Sequence, residues 1–384
     1  MTQVHTTIPA MLVSLATTHP PCGMSREEWL AIADAISPAE VDRAMLARLA
    51  ERSAIDTRWC AAFEDGRHGF YKHGDVPSTE VRMALWLRAA RSMSLDAATQ
   101  ALRNARDFGI ALSDFTHVIT ASCTGFAAPG IDALLIEQLA LPRTVTRLHV
   151  GFMGCHAAVN AIAAARAAVL ANPQAVVLIT MAEVSSAHFH HSARLDQLVA
   201  NTLFADGCAA IVVTSASRLA HAVAHDSHAQ RTHGAPRPIA SLVGTHSILI
   251  PESSSEMSWS IGDHGFEMTL GAGVPAILER DIRAWVEDAL ATHGLRIHDI
   301  HGWAIHPGGP RVLDAVANAL SLPETAVTSS RAILRNYGNM SSATLPFILE
   351  RLAQESVATP WVGLAFGPGL AGEMLVCGTP HHSA

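Results

Sequence analysis

Six cysteines are spread along the chain, at Cys22, Cys60, Cys123, Cys155, Cys208 and Cys377. Cys155 stands apart because Gly151 and Gly154 precede it and an Ala-rich run follows. A strand over Val145 to Phe152 that turns into a helix over His156 to Ala171 needs a tight backbone, which glycine permits. A helix N-terminus favours thiolate over thiol, so this spacing predicts a nucleophile. The other reading of a free cysteine is a small core residue. That reading suits Cys208 and Cys377, in apolar strands, better than Cys155. His306 ends an apolar run and precedes Pro307-Gly308-Gly309-Pro310. Such a turn either caps a structural His or aims it into a cleft, where it would polarise a thiol and donate to an oxyanion. Asn339 follows Gly338 and precedes a helix, as a helix cap or as an amide donor. Together a Cys, a His and an amide suit acyl-thioester chemistry. The Cys takes the acyl group, and the His and Asn hold a second thioester while it loses carbon dioxide.

The elements that must position these residues read as α/β. Short apolar runs alternate with longer Ala- and Leu-rich segments. Strands are expected at Phe115 to Ser122, Val145 to Phe152, Ala175 to Met181 and Cys208 to Thr214. Helices are expected at Gly130 to Leu141 and His156 to Ala171. A second series follows: helix Val274 to His293, strand His301 to His306, helices Arg311 to Leu320 and Met340 to Gln354, then strands Trp361 to Phe366 and Glu373 to Cys377. The last two read as a hairpin across Gly367-Pro368-Gly369. Gly154-Cys155 and Gly338-Asn339 each open an apolar helix, as a duplicated unit would show. The expected halves are residues 1–230, with the cysteine, and 231–384, with the His and Asn. A polar connection is expected at Ser215 to Pro238, with His221, His225, His228 and His233 in a solvated loop.

Hydrophobic residues make up 49% and charged residues 16%, a balance that excludes disorder. Net charge is −8 with no basic block, which argues against a nucleic-acid partner. No uninterrupted apolar run nears the roughly 18 residues that span a bilayer. Met1 to Ala16 lacks a basic start and a cleavage-type end, so no signal peptide is expected. Scattered cysteines without a C-x-x-C pair fit free thiols in a cytoplasmic setting and no metal site.

At these residues the chain resembles the type III polyketide synthases of the thiolase-like superfamily. The resemblance runs through Ala16-Thr17-Thr18-His19-Pro20-Pro21, Ser122-Cys123-Thr124-Gly125, Pro129-Gly130-Ile131-Asp132 and Gly154-Cys155. It continues through Leu203-Phe204-Ala205-Asp206-Gly207, His306-Pro307-Gly308-Gly309-Pro310, Tyr337-Gly338-Asn339-Met340-Ser341-Ser342-Ala343 and Phe366-Gly367-Pro368-Gly369. The family implies a homodimer of thiolase-like, five-layered αβαβα subunits, each with two pseudo-symmetric halves. It implies an acyl-CoA starter loaded on Cys155, malonyl-CoA as extender, and repeated condensation before cyclisation. No cofactor or metal is implied, because the CoA thioesters are substrates. Carried over by motif, His306 and Asn339 stabilise decarboxylation, Phe204 is a gatekeeper, Ser341 lines the cavity, and Arg48 and Arg52 meet CoA phosphates. Solvated helix charge is the other reading of the two arginines.

Several positions depart from plant members. Met268 replaces the usual second gatekeeper Phe, and Ala128 a Met that reaches the partner's cavity. Cys123, Ser185 and His188 stand at Thr positions, and Trp259 at a Gly. The segment Trp259 to Phe266 resembles bacterial members. The implied products are alkylpyrones or alkylresorcinols rather than plant-type chalcones. A phloroglucinol- or chalcone-type synthase, a single-condensation ketoacyl synthase and a non-catalytic binding subunit are the competing readings.

Overall fold

The computed structural model describes residues 9–63, 69–71, 76–225 and 237–379. The first half begins with β1 (Ala10–Thr18). A short pair, β2 (Gly23–Ser25) and β3 (Thr57–Trp59), brackets α1 (Arg26–Ile36) and α2 (Arg43–Arg52). Then come α3 (Thr79–Arg106), β4 (His117–Ser122), α4 (Ile131–Gln138), β5 (Thr146–Gly151), α5 (Ala157–Ala171), β6 (Val176–Val184), α6 (Leu195–Leu203), β7 (Asp206–Ser215) and α7 (Ala216–His225). The second half holds β8 (Ala240–Leu249), the hairpin β9 (Met257–Gly262) and β10 (Gly265–Leu270), and α8 (Val274–Ala291). It continues with β11 (Gly302–Ile305), α9 (Pro310–Leu320), α10 (Thr328–Tyr337), α11 (Thr344–Gln354), β12 (Trp361–Gly367) and β13 (Ala371–Gly378).

Nine strands join in one mixed sheet of order β11-β12-β13-β8-β1-β7-β6-β4-β5. Outward from its centre the two halves match. β1-β7 and β7-β6 are antiparallel and β6-β4 parallel. Likewise β8-β13 and β13-β12 are antiparallel and β12-β11 parallel. α5 precedes β6 just as α11 precedes β12. This is the duplicated unit that the paired Gly-polar-helix motifs suggest.

The strands alternate faces, and that alternation builds the layers. Val176 and Leu178 pack with Leu85, Trp86 and Ala97 of α3. Val177 and Ile179 point the other way, to Ile162 of α5 and Leu345 and Ile348 of α11. Leu375 joins that central layer, whereas Met374 and Val376 face Leu278 and Ile282 of α8 and Leu313 of α9. The result is αβαβα, with α5 and α11 as the shared middle layer. Burying such side chains stabilises the fold by about 1.5–3 kcal/mol each.

Two sequence expectations change. The connection after β7 is not a loop at its start, because α7 carries His221 and His225. The mixture of Ala, Leu and Val in Ala216–His225 repeats at helical spacing, and this outweighs its histidines. His228 and His233 lie outside the described residues. The other change concerns Gly154–Ala171, which is long and apolar enough to span a membrane. It is the buried central helix with its entering turn. Its polar residues are bound inside the protein, Asn160 to Glu373 and Arg166 to the Leu242 and Val243 carbonyls.

Candidate active site

Cys155 lies in a 3-10 turn, Gly154–His156, between β5 and α5. Gly154 takes φ +78°, and a Cβ there would fall 2.1 Å from Pro368 Cδ. Backbone and space both demand glycine. The matching turn of the second half, Ser341–Ala343, stands ahead of α11.

The two turns meet at the sulfur. Cys155 Sγ lies 4.0 Å from Asn339 Oδ1. Ser341 stands on the same cavity wall and lowers the pKa of both the Cys155 and Cys123 thiols. Asn339 Oδ1 also accepts from the Ser341 N–H at 2.9 Å. Asn339 therefore both caps its turn and stands beside the thiol. Ser341 holds φ +48°, a costly conformation for a residue with a Cβ. Cys123 Sγ accepts from the Gly154 N–H at 2.9 Å, so the second thiol abuts the nucleophile turn.

Burial pushes the Cys155 thiol up to about 12, Ser341 and Asn339 pull it down, and Glu183 adds to the rise. Burial desolvates the sulfur and so favours the neutral thiol. His306 ends β11, and its N–H donates to the Leu364 carbonyl at 2.7 Å. Its ring is buried, and neither nitrogen has a hydrogen-bond partner among the described residues. Burial lowers its pKa to about 3, with His156 adding to the drop. His306 therefore does not bond Cys155. A buried unpaired nitrogen costs about 1–3 kcal/mol, a cost that a bound carbonyl oxygen would remove.

Cys123, Cys155, Ser185, Phe204, Trp259, Met268 and Ser341 help line a narrow cavity of about 20 Å³. A second, of about 40 Å³, shares Ser185, Phe204, Trp259 and Met268 and continues past His188, His190 and Cys60. Trp259 Nε1 donates to the Cys123 carbonyl at 2.7 Å, which fixes the indole between the two spaces. His188 Nδ1 accepts from the Phe266 N–H at 3.0 Å, so its Nε2 must donate to the Thr124 carbonyl at 2.6 Å. Burial lowers its pKa to about 3, so His188 is a fixed neutral wall. Arg48 and Arg52 are exposed on α2, with Arg48 3.9 Å from Asp42.

One residue escapes sequence reasoning. Glu183, fully buried on β6, accepts from the Cys123 and Thr124 N–H groups at 3.0 and 3.2 Å and from Thr124 Oγ1 at 2.7 Å. Ser342 of the second half bonds its other oxygen. Burial raises its pKa. A lone carboxylate inside the apolar run Val176–Val184 is the signal that could have found it.

Comparison with known proteins agrees with this geometry. Residues 2–217 match the N-terminal domain, and 241–379 the C-terminal domain, of chalcone and stilbene synthases. The chain belongs to the chalcone and stilbene synthase family. It is 32% identical over 348 residues to a 1,3,6,8-tetrahydroxynaphthalene synthase of Streptomyces peucetius subsp. caesius, covering 90% of this chain and 86% of the relative. It is 27% identical over 379 residues to an alpha-pyrone synthesis polyketide synthase-like Pks18 of Mycobacterium tuberculosis, covering 96% and 90%. The solved PKS-I of the brown alga Ectocarpus siliculosus superposes with a TM-score of 0.86 at 27% identity, covering 98% of this chain and all of that one. The C-terminal type III domain of Steely1 from Dictyostelium has the same TM-score at 23% identity and 97% coverage of this chain, and agrees in fold. This family member is thus a type III polyketide synthase, an acyltransferase with the thiolase-like fold.

Proposed function

We propose that this synthase loads an acyl-CoA starter on Cys155, extends it repeatedly with malonyl-CoA, and releases an alkylpyrone or alkylresorcinol. The observation that carries this reading is the shared wall of Ser185, Phe204, Trp259 and Met268, which joins the space at Cys155 to a second space beside it. Loading exchanges one thioester for another, and the Cys155 proton leaves on the CoA thiol. Malonyl-CoA then loses carbon dioxide, and the enolate attacks the Cys155 thioester and frees the cysteine for the next round. The unpaired His306 ring and the Asn339 amide are the groups to hold the thioester oxygen while charge develops there. Arg48 and Arg52 offer exposed charge to CoA phosphates. No cofactor enters the scheme. Met268 is the flexible part of the wall and leaves room for longer chains.

The test is mass spectrometry of products from malonyl-CoA with a panel of acyl-CoA starters. Multiple two-carbon extensions support the proposal. A single extension indicates a ketoacyl synthase, and full activity in Cys155→Ala sinks the mechanism.

The same reading includes a cytoplasmic homodimer. β5 closes one end of the sheet, with no strand on its outer side among the described residues, and Phe126, Leu148 and Met153 are exposed around it. An apolar edge of this kind is a pairing surface, and a two-fold copy would cover it symmetrically. Leu148→Glu should shift the chain to monomer in light scattering.

A further inference from the structure

Behind Cys155 runs a chain of hydrogen bonds that the condensation scheme does not use. His156 follows the nucleophile and is 2% exposed. Its Nδ1 lies 2.8 Å from Asn160 Oδ1. Asn160 Nδ2 donates to Glu373 Oε1 at 3.0 Å, and Ser247 Oγ donates to Glu373 Oε2 at 2.7 Å. The direction of the chain is forced. A carboxylate only accepts, so Asn160 turns its amide nitrogen to Glu373 and its oxygen to His156. That oxygen also only accepts, so His156 carries its proton on Nδ1. Burial lowers the pKa of His156 and favours the neutral ring, although the Asn160 bond and Glu373 oppose the drop. In that form Nε2 is bare.

The ring is also a wedge. A Cβ on Gly367 would fall 2.5 Å from His156 Cδ2 and 3.0 Å from its Nε2. The Gly154 turn presses Pro368 in the same way, so the nucleophile turn and the end of β12 interlock. Three residues back along β12, the Leu364 carbonyl holds the backbone of His306. His156 thus joins α5, which follows the nucleophile, to the strands that carry His306 and Glu373. A charge on His156 would lower the His306 pKa further.

We propose that His156 is a positioning residue for condensation, locked in its Nδ1–H tautomer by Asn160 and Glu373 so that Cys155 keeps one register against the sheet that carries His306. The inference rests on the condensation reading above. The alternative is a histidine that only fills the core.

The experiment compares His156→Asn, His156→Gln, His156→Phe and Asn160→Leu with wild type, each checked for thermal unfolding. Asn places a donor near the Nδ1 position, Gln near Nε2, and Phe fills the space with no donor. Steady-state rates with malonyl-CoA should show kcat down about tenfold to a hundredfold in His156→Phe and Asn160→Leu, with KM little changed. His156→Asn should recover most of the rate and His156→Gln should not. The double variant His156→Phe, Asn160→Leu should be no worse than His156→Phe alone. Wild-type kcat in His156→Phe, or equal losses in the Asn and Gln variants that follow thermal stability, would overturn the proposal. Ring 15N shifts test the lock without turnover. Wild type should be Nδ1–H and lose that preference in Asn160→Leu, and an Nε2–H wild-type ring overturns the proposal. A wild type that makes no product from malonyl-CoA yet shows the Nδ1–H ring sinks the condensation reading and the catalytic half of this one, and upholds the lock.

Discussion

Phe204 and Asn339 are joined through the backbone across the two halves of the molecule. The Asn339 N–H donates to the Leu203 carbonyl at 3.0 Å, and the Asn339 carbonyl accepts from the Ala205 N–H at 2.8 Å. The cavity wall and the amide beside Cys155 therefore move as one piece. Substitution of the Phe204 side chain should act on the space alone. Phe204→Ala should change the range of starters and product lengths while malonyl-CoA decarboxylation stays within about threefold. Product mass spectra and carbon dioxide release measure the two separately, and a collapse of decarboxylation would contradict the rigid link.

Ser341 pulls the Cys155 thiol down against the rise that burial causes. Ser341→Ala removes that pull, so the thiol should climb and the thiolate fraction at neutral pH should fall. Iodoacetamide should then alkylate Cys155 more slowly at every pH below the thiol pKa. Faster alkylation would show that Ser341 shields the thiol instead.

Stability should fall on the acid side. His188 and His306 have pKa values lowered to about 3 by burial, whereas an unfolded histidine titrates near about 6.5. Between these values the unfolded chain binds more protons, so the stabilisation is complete above about pH 6.5 and is lost as pH falls towards 3. Each histidine contributes a slope of about 1.4 kcal/mol per pH unit in that window. His156 and His190 are shifted in the same direction and add to it. Urea unfolding from pH 7 to 5 measures the slope, and His188→Gln should reduce proton uptake on unfolding by about one.

Glu183 receives only donors, from Cys123, Thr124 and Ser342. Glu183→Gln would turn an amide N–H2 toward some of them. This should cost about 1–3 kcal/mol and loosen the Cys123 side of the cavity. A lowered melting temperature with weakened acyl loading is the expected result. An unchanged melting temperature would mean that the carboxyl is already protonated and donating.

Much of the layer order was legible because apolar runs and glycines are local features. The hairpin of Trp361–Gly367 and Ala371–Gly378 follows from two apolar runs and a Gly-Pro-Gly turn. Less was legible where a side chain's partner lies far along the chain. Glu183 reads as an interruption in a strand until Ser342, 159 residues later, is beside it. His156 reads as one more histidine until Glu373 is brought to Asn160 across 213 positions.

Cys155 marks the same division. The sequence alone determined that this cysteine, among six, stands at a glycine-bounded turn before a helix, in two halves built on one plan. Backbone freedom and hydrophobic period are properties of neighbouring residues, so they can be read without the fold. The tertiary structure decided the state of the thiol. Closing αβαβα layers around it removed water, raised the thiol to about 12, and made Ser341 and Asn339 its polar partners rather than His306. Desolvation depends on everything that surrounds a group, and no local segment carries that information.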